Sequence, residues 1–332
     1  MAAGCLFAPA VRAAPPTNGA GPAVDLGTVP AALTRPRRIP VILDTDIGTD
    51  IDDTWALALL LRSPELDLKL VVTETGNTTY RAKVVARLLE AAGRSDVPIG
   101  IGIHQNDTTG GQERWVHDYD LSKYRGGIRK DGVDALIRTI MKSRTPMTLI
   151  AIGPTPNLAA ALQREPRIAG RVRFVGMDGS IYKGYGGSPK PSAEYNITQD
   201  IKAAQKVFTA AWPMTITPLD TCGVVQLTGA RYRAMAESTD PLARAVVETY
   251  RIWANKDKPG DVPTESSVLY DTVAVYLAVS HDLVGMERLG VRVSDDGFTR
   301  VDPTARPVDC ATSWKDLGAY EDLIVSRITG KG

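Results

Sequence analysis

From Ile39 onward, short apolar runs alternate with stretches of helical periodicity. Ile39–Leu43, Leu68–Thr73, Val97–Ile101, Met147–Ile152 and Val172–Met177 have the length and composition of buried strands. Between them, Asp52–Arg62 predicts a helix that can bury Trp55, Leu57, Ala58 and Leu61. Thr79–Ala92 predicts another, with Val84, Val85, Leu88 and Leu89 on one side, and further helical patterns cover Val133–Lys142 and Asn157–Gln163. Such a βαβα rhythm predicts an α/β domain with a mostly parallel central sheet and helices on both faces. Ligands in such sheets bind beyond the carboxyl ends of the strands. Two long polar and glycine-rich segments, 102–130 and 178–195, follow predicted strands and are expected over that edge. No internal repeat is evident.

The pattern is absent from residues 1–38, which are rich in Ala, Pro and Gly. They are read as an N-terminal extension preceding a domain at 39–330. Ala2–Ala14 resembles the end of an export signal, but no basic segment precedes it. Location therefore stays open between export, to periplasm or exterior, and the cytoplasm. Over the whole 332 residues, 39 basic and 38 acidic side chains nearly cancel. That balance gives no general attraction to nucleic acid, and no uncharged apolar run of about 20 residues provides stable membrane insertion. Cysteine is limited to Cys5, Cys222 and Cys310, so neither a disulfide framework nor a thiolate zinc site is indicated. A bridge between Cys222 and Cys310 is left open. The three histidines are not at metal-ligand spacing, which directs attention to oxygen ligands.

Those oxygens are concentrated directly after the first predicted strand, in Asp44-Thr45-Asp46-Ile47-Gly48-Thr49-Asp50-Ile51-Asp52-Asp53. Five carboxylates in ten residues repel one another unless something compensates them. A hard divalent cation does so, and oxygen ligands suit Ca²⁺ or Mg²⁺. Gly48 permits a sharp turn, and Asp52 and Asp53 then fall in a first helical turn, where the helix dipole also favours them. An EF-hand loop is excluded because its twelfth position would be Trp55. A phosphatase with Asp44 as nucleophile and Asp46 as acid is disfavoured by Gly48. A third possibility is metal-assisted attack of water on a sugar.

These residues resemble the signature of the inosine-uridine-preferring nucleoside hydrolase family, Asp-x-Asp-x-Gly-x-Asp-Asp, with two extra residues here before Asp52-Asp53. The resemblance continues through Thr148–Leu158, with its Gly-Pro-Thr-Pro-Asn turn, through Glu194-Tyr195-Asn196 and through Leu269-Tyr270-Asp271, in family order. It implies a Rossmann-like nucleoside-hydrolase fold and hydrolysis of the N-glycosidic bond of ribonucleosides to ribose and free base. It implies Ca²⁺ held by Asp46, Asp53, Asp271 and the main-chain carbonyl of Ile152, with Asp46 also as general base. Asp52 and Asn196 are implied to hold the ribose diol, Glu194 the 5′-hydroxyl, and Met177 to line the sugar site. Asp44 is expected to support these groups from behind. The resemblance also implies a homo-oligomer, dimer or tetramer, acting on a small nucleoside or related ribosyl substrate.

Two departures concern the base. The family's late His, which protonates the leaving base, is Tyr270 here, and an ordinary phenol with a pKa near 10 is a reluctant donor. Trp115, His117 and Tyr119 in the first long loop are therefore candidates for contacts to the leaving group. In the second loop, Lys183-Gly184-Tyr185-Gly186-Gly187-Ser188 replaces the family's Gly-x-Asn segment. A ribosyl-binding protein without efficient catalysis stays open as an alternative, with the aspartyl phosphatase as a more distant one.

Overall fold

The computed structural model describes residues 38–331 except 259 and 262. The expected extension at 1–38 and its export signal lie, but for Arg38, outside the described residues. Ten strands form one sheet in the order β4-β3-β2-β1-β5-β6-β7-β10-β8-β9. They are β1 Ile39–Thr45, β2 Leu66–Thr73, β3 Ile99–Ile101, β4 Ile128–Arg129, β5 Met147–Ala151, β6 Val172–Met177, β7 Met214–Thr217, β8 Val284–Val293, β9 Thr299–Val301 and β10 Pro307–Trp314. Pairing is parallel from β4 through β7 to β10, and antiparallel from β10 to β8 and β8 to β9. The predicted parallel architecture is thus present, within one or two residues at each of the five predicted strands. The antiparallel β8–β9–β10 extension was not expected from the sequence.

Connectivity creates the site. The chain runs outward from β1 through β2 and β3 to β4, then returns to place β5 on the other side of β1. At such a reversal the loops after two neighbouring strands part in opposite directions and leave a crevice at their carboxyl ends. Strand β1 is buried on both faces from Val41 onward, which explains its unbroken apolar run. The helix that follows, α1 (Asp52–Leu61), buries nine of its ten residues, so it shows no polar face to water. The helix after β2, α2 (Thr78–Ala91), begins at Asn77, whose side-chain oxygen accepts from the Tyr80 amide at 2.9 Å.

Two apolar cores lie against the sheet. One gathers α1, α2 and the helices Pro241–Trp253, Thr272–Leu277 and Leu317–Ile328 around Trp55 and Tyr320. The other packs Gly132–Lys142, Pro156–Arg164 and Ile201–Thr209 around Phe174 and Trp212. Cys222 and Cys310 are both buried free thiols, so the bridge left open by the sequence does not form. No helix among the described residues is long and apolar enough to cross a membrane.

One buried amide fixes the strand ends beside the crevice. Asn157 donates to Asp44 Oδ1 at 2.9 Å and to the Thr73 carbonyl at 3.2 Å, and accepts from the Ile103 amide at 2.9 Å. It therefore ties the ends of β1 and β2 to the loop after β3. Replacing it strands buried partners, each costing about 1–3 kcal/mol. Asn157→Ala is expected to lower unfolding stability by at least about 2 kcal/mol in a denaturant titration, well beyond an exposed substitution such as Gln163→Ala.

Candidate active site

The acidic segment leaves β1 and turns at Gly48, which has φ 107°, and a Cβ there would lie 2.7 Å from the Tyr80 ring. Glycine is thus required by both conformation and space. The turn delivers Asp52 and Asp53 to the start of α1, where both are buried. Thr45 Oγ1 donates to Asp53 Oδ1 at 2.5 Å. Asp271 stands at the start of the buried helix Thr272–Leu277, and its amide donates to Asp52 Oδ2 at 3.3 Å. One oxygen from each of Asp52, Asp53 and Asp271 lies within 4.8 Å of the others.

Around this nest is a cavity of about 160 Å³ lined by Asp46, Asp50, Asp52, Asp53 and Asp271, by Ile152 and Met177 at the ends of β5 and β6, and by Glu194 and Asn196. Every metal and sugar residue anticipated from the sequence therefore faces one space. Asn196 donates to the Met177 carbonyl at 2.9 Å, and Glu194 accepts from the amides of Gly179, Asn196 and Ile197 at 3.1, 2.8 and 3.3 Å. Glu194 thereby caps the short helix Tyr195–Gln199 and pins the second long loop to the end of β6.

The base-side candidates divide. Tyr270 lines the cavity, half-buried, with Tyr185 edge-on to it at 6.2 Å between ring centroids. Trp115 and His117 do not line it. Trp115 is buried in the core beneath the Arg87 guanidinium, 4.6 Å from its ring centroid. His117 is exposed, with Nδ1 3.2 Å from the Arg114 carbonyl. The short helix Glu113–Val116 turns this part of the first loop away, and Tyr119 packs with it against the core. Tyr185 and Tyr195 line the cavity and were not anticipated. A tyrosine among glycines and one between two functional residues carry no sequence signal of where they point.

Glu74, at the end of β2, was also not anticipated. It is fully buried and neither carboxyl oxygen has a hydrogen-bond partner among the described residues. A Cβ at Gly153 would lie 2.2 Å from Glu74 Oε1 and 2.6 Å from Asp46 Oδ1, so glycine there is what lets the two acids approach. The Arg81 guanidinium spans the neighbouring turns. Nη1 donates to the main-chain carbonyls of Asp46 and Ile47, and Nε to that of Thr75 at 2.9 Å.

Enclosure of so many acids raises their pKa values. Burial lifts Asp44 to about 7 and Asp46 to about 6, with Asp46 adding repulsion on Asp44 and Arg81 opposing the rise at Asp46. Asp52, Asp53, Asp271 and Glu74 are pushed well above the usual range by burial first and mutual repulsion second. Glu194 rises to about 7 by burial, although three amides favour its charged form. Carboxylates that are costly to ionise together are the complement of a divalent cation, and this oxygen donor set fits one. Asp44 is held by Asn157 and does not line the cavity, which removes the nucleophile of the phosphatase alternative.

The model of the inosine-uridine preferring nucleoside hydrolases matches residues 41–316. The chain belongs to that family. It is 29% identical over 275 residues to a probable uridine nucleosidase 2 of Arabidopsis thaliana, covering 79% of this chain and 84% of that protein. It is likewise 29% identical to a pyrimidine-specific ribonucleoside hydrolase of Enterobacter sp., covering 80% and 88%. A plant nucleoside hydrolase structure superposes with a TM-score of 0.73 at 25% identity, over 88% of this chain and 99% of that one. A purine-preferring ribonucleoside hydrolase of Gardnerella vaginalis, at 22% identity, shares the fold with a TM-score of 0.71 over 88% and 98%. As a member the chain is an N-ribosyl hydrolase of a metal-dependent family.

The raised pKa values carry a sign. Without metal, the folded protein holds more protons than the unfolded chain from pH 4, near the ordinary 3.8, up to about 7. Its stability is therefore greatest at the acid end of that window and falls as pH rises through it. Thermal unfolding after EDTA treatment is expected to shift to lower temperature between pH 5 and 7.5. A divalent cation that the acids bind, at about a hundred times its Kd, is expected to restore about 2.7 kcal/mol at pH 7.5 and much less at pH 5.

Proposed function

We propose that this chain hydrolyses the N-glycosidic bond of ribonucleosides with Ca²⁺ as its metal and Asp46 as general base. The observation that carries the reading is the convergence of Asp46, Asp52, Asp53, Asp271, Glu194 and Asn196 on one cavity at the β1/β5 reversal. Asp46, Asp53, Asp271 and the Ile152 carbonyl are the proposed ligands, and the proximity of Asp52 to Asp53 and Asp271 puts the proposed diol contact beside them. The cation, when bound, supplies positive charge next to the sugar diol and the attacking water.

The remaining work falls to this chain's own groups. Asp46 takes the proton of the water as its oxygen bonds to C1′, in a position where burial raises the basicity of its carboxylate and a bound cation would keep it ionised. Asp52 and Asn196 hold the 2′- and 3′-hydroxyls, and Glu194 takes the 5′-hydroxyl. The ribosyl cation that develops as the bond to the base stretches faces a wall of carboxyl groups, which favours positive charge on the sugar over its neutral ground state. Burial pushes the Tyr270 phenol up to about 12, which makes it a weaker acid than free tyrosine. We therefore assign it a packing role against Tyr185 and no proton transfer to the base. A weak leaving-group acid also supports the alternative of a ribosyl-binding protein.

Reducing-sugar release from purine and pyrimidine ribonucleosides with Ca²⁺ tests the proposal. Asp46→Asn is expected to lower kcat by about 10²–10⁴-fold, the usual worth of a general base. Tyr270→Phe is expected to change kcat by less than about threefold, because only the hydroxyl is removed and the edge-on packing remains. Silence of the wild type on every nucleoside, with Ca²⁺ still bound, would favour the binding protein.

A further inference from the structure

The cavity carries more negative charge than the hydrolysis of a neutral nucleoside uses. Asp46, Asp50, Asp52, Asp53, Glu194 and Asp271 line it, and no Lys, Arg or His among the described residues does. A divalent cation offsets two of those six acids and leaves a field that favours a further positive charge. Protein donors do not take up the excess at Asp46. Its side chain, only 5% exposed, makes no hydrogen bond among the described residues, and Arg81 reaches its main-chain carbonyl instead.

Asp50 is the acid that no step above requires. It belongs to the two residues, Thr49-Asp50, by which this chain exceeds the signature spacing. The insertion is anchored from a distant helix. Trp253 Nε1 donates to the Thr49 carbonyl at 3.2 Å, and its indole stacks on Tyr250 with 6.0 Å between ring centroids. Asp50 Oδ1 accepts from the Ile51 amide at 2.7 Å, and Oδ2 has no partner among the described residues. An exposed carboxylate is thus held on the cavity wall, apart from the proposed metal ligands and sugar contacts. Three rings complete that wall. Tyr185 and Tyr270 meet at an interplanar angle of 78°, and Tyr195, 44% exposed, is the third. Aromatic rings beside carboxylates are how proteins hold organic cations that have no N–H to donate.

Resting on the nucleoside-hydrolase reading above, we propose that the preferred substrates are ribosides whose base carries a fixed positive charge, of the N-ribosyl pyridinium class, and that Asp50 and the three tyrosines select them. In such a substrate the glycosidic nitrogen is itself cationic. As the C1′–N bond breaks, its electron pair neutralises that nitrogen, and the base leaves as an uncharged pyridine. Water forms the new bond to C1′ and gives its proton to Asp46, from which it passes to solvent. The positive charge moves from base to sugar within the same acidic walls. No proton goes to the base, so the Tyr270 phenol, weakened as an acid by burial, is no handicap. A neutral nucleoside, whose base departs as an anion, is at a disadvantage in the same cavity.

The test compares nicotinamide riboside, a ribosyl pyridinium, with uridine and inosine. Its kcat/KM is expected to exceed theirs by at least about a hundredfold, the least that a missing general acid costs the neutral substrates. Asp50→Asn is expected to raise KM for the pyridinium about tenfold with kcat unchanged, and to shift inhibition by uridine less than about twofold, because only the cation senses the lost charge. If Asp50→Asn does not fold, the wild type decides. The uncharged dihydropyridine form of the same riboside is expected to inhibit with a Ki at least about tenfold above the KM of the pyridinium. Equal affinity for the charged and uncharged forms overturns the proposal. So do an equal effect of Asp50→Asn on pyridinium and uridine and a kcat/KM on uridine or inosine that matches the pyridinium, and each of these leaves the hydrolase reading standing. No turnover of any of the three substrates overturns both.

Discussion

Six buried carboxyl groups, on Asp44, Asp46, Asp52, Asp53, Glu74 and Asp271, are gathered where the sheet reverses direction between β1 and β5. Mutual repulsion and desolvation oppose that arrangement, and the surrounding structure is organised to hold it. Gly48 and Gly153 remove the side chains that would keep the acids apart. Asn157 absorbs one oxygen of Asp44, Thr45 one of Asp53, and the Asp271 amide one of Asp52. What these hydrogen bonds leave uncompensated is the demand that a divalent cation meets. A site of this kind is poor for folding alone and well suited to a sugar on which positive charge develops.

The two sides of the cavity are built differently. On the acidic side, carboxyl groups, amide caps and strand ends are fixed by buried hydrogen bonds, so geometry there is tightly determined. On the other side the walls are the rings of Tyr185, Tyr195 and Tyr270. Tyr185 sits between Gly184 and Gly186, and Gly186 and Gly187 both have positive φ, so that side of the mouth rests on a few loop hydrogen bonds.

The sequence made the sugar end legible because its information is local. An apolar strand, five acids in ten residues and a glycine between them specify strand, turn and helix start without reference to the rest of the chain. Asp271, Glu194 and Asn196 were reached through the family resemblance, since nothing nearby marks them. The base end was not legible. Trp115 and His117 sit in a loop whose direction depends on Arg87, an α2 residue 28 positions before Trp115, stacking on that indole. Glu74 and Arg81 carry no local signal that marks them in the sequence, and both are buried. The β8–β9–β10 extension follows many intervening helices, and its strands mix buried, half-buried and exposed positions without strict alternation, which leaves only a weak period-two signal.

Arg81 ties the carbonyls of Asp46 and Ile47 in one turn to that of Thr75 in the next. The two turns are therefore one mechanical unit. Any replacement of this arginine must supply new partners for carbonyls on both sides at once, so substitutions in the two turns are expected to be strongly non-additive, and grafting one turn without the other disrupts both.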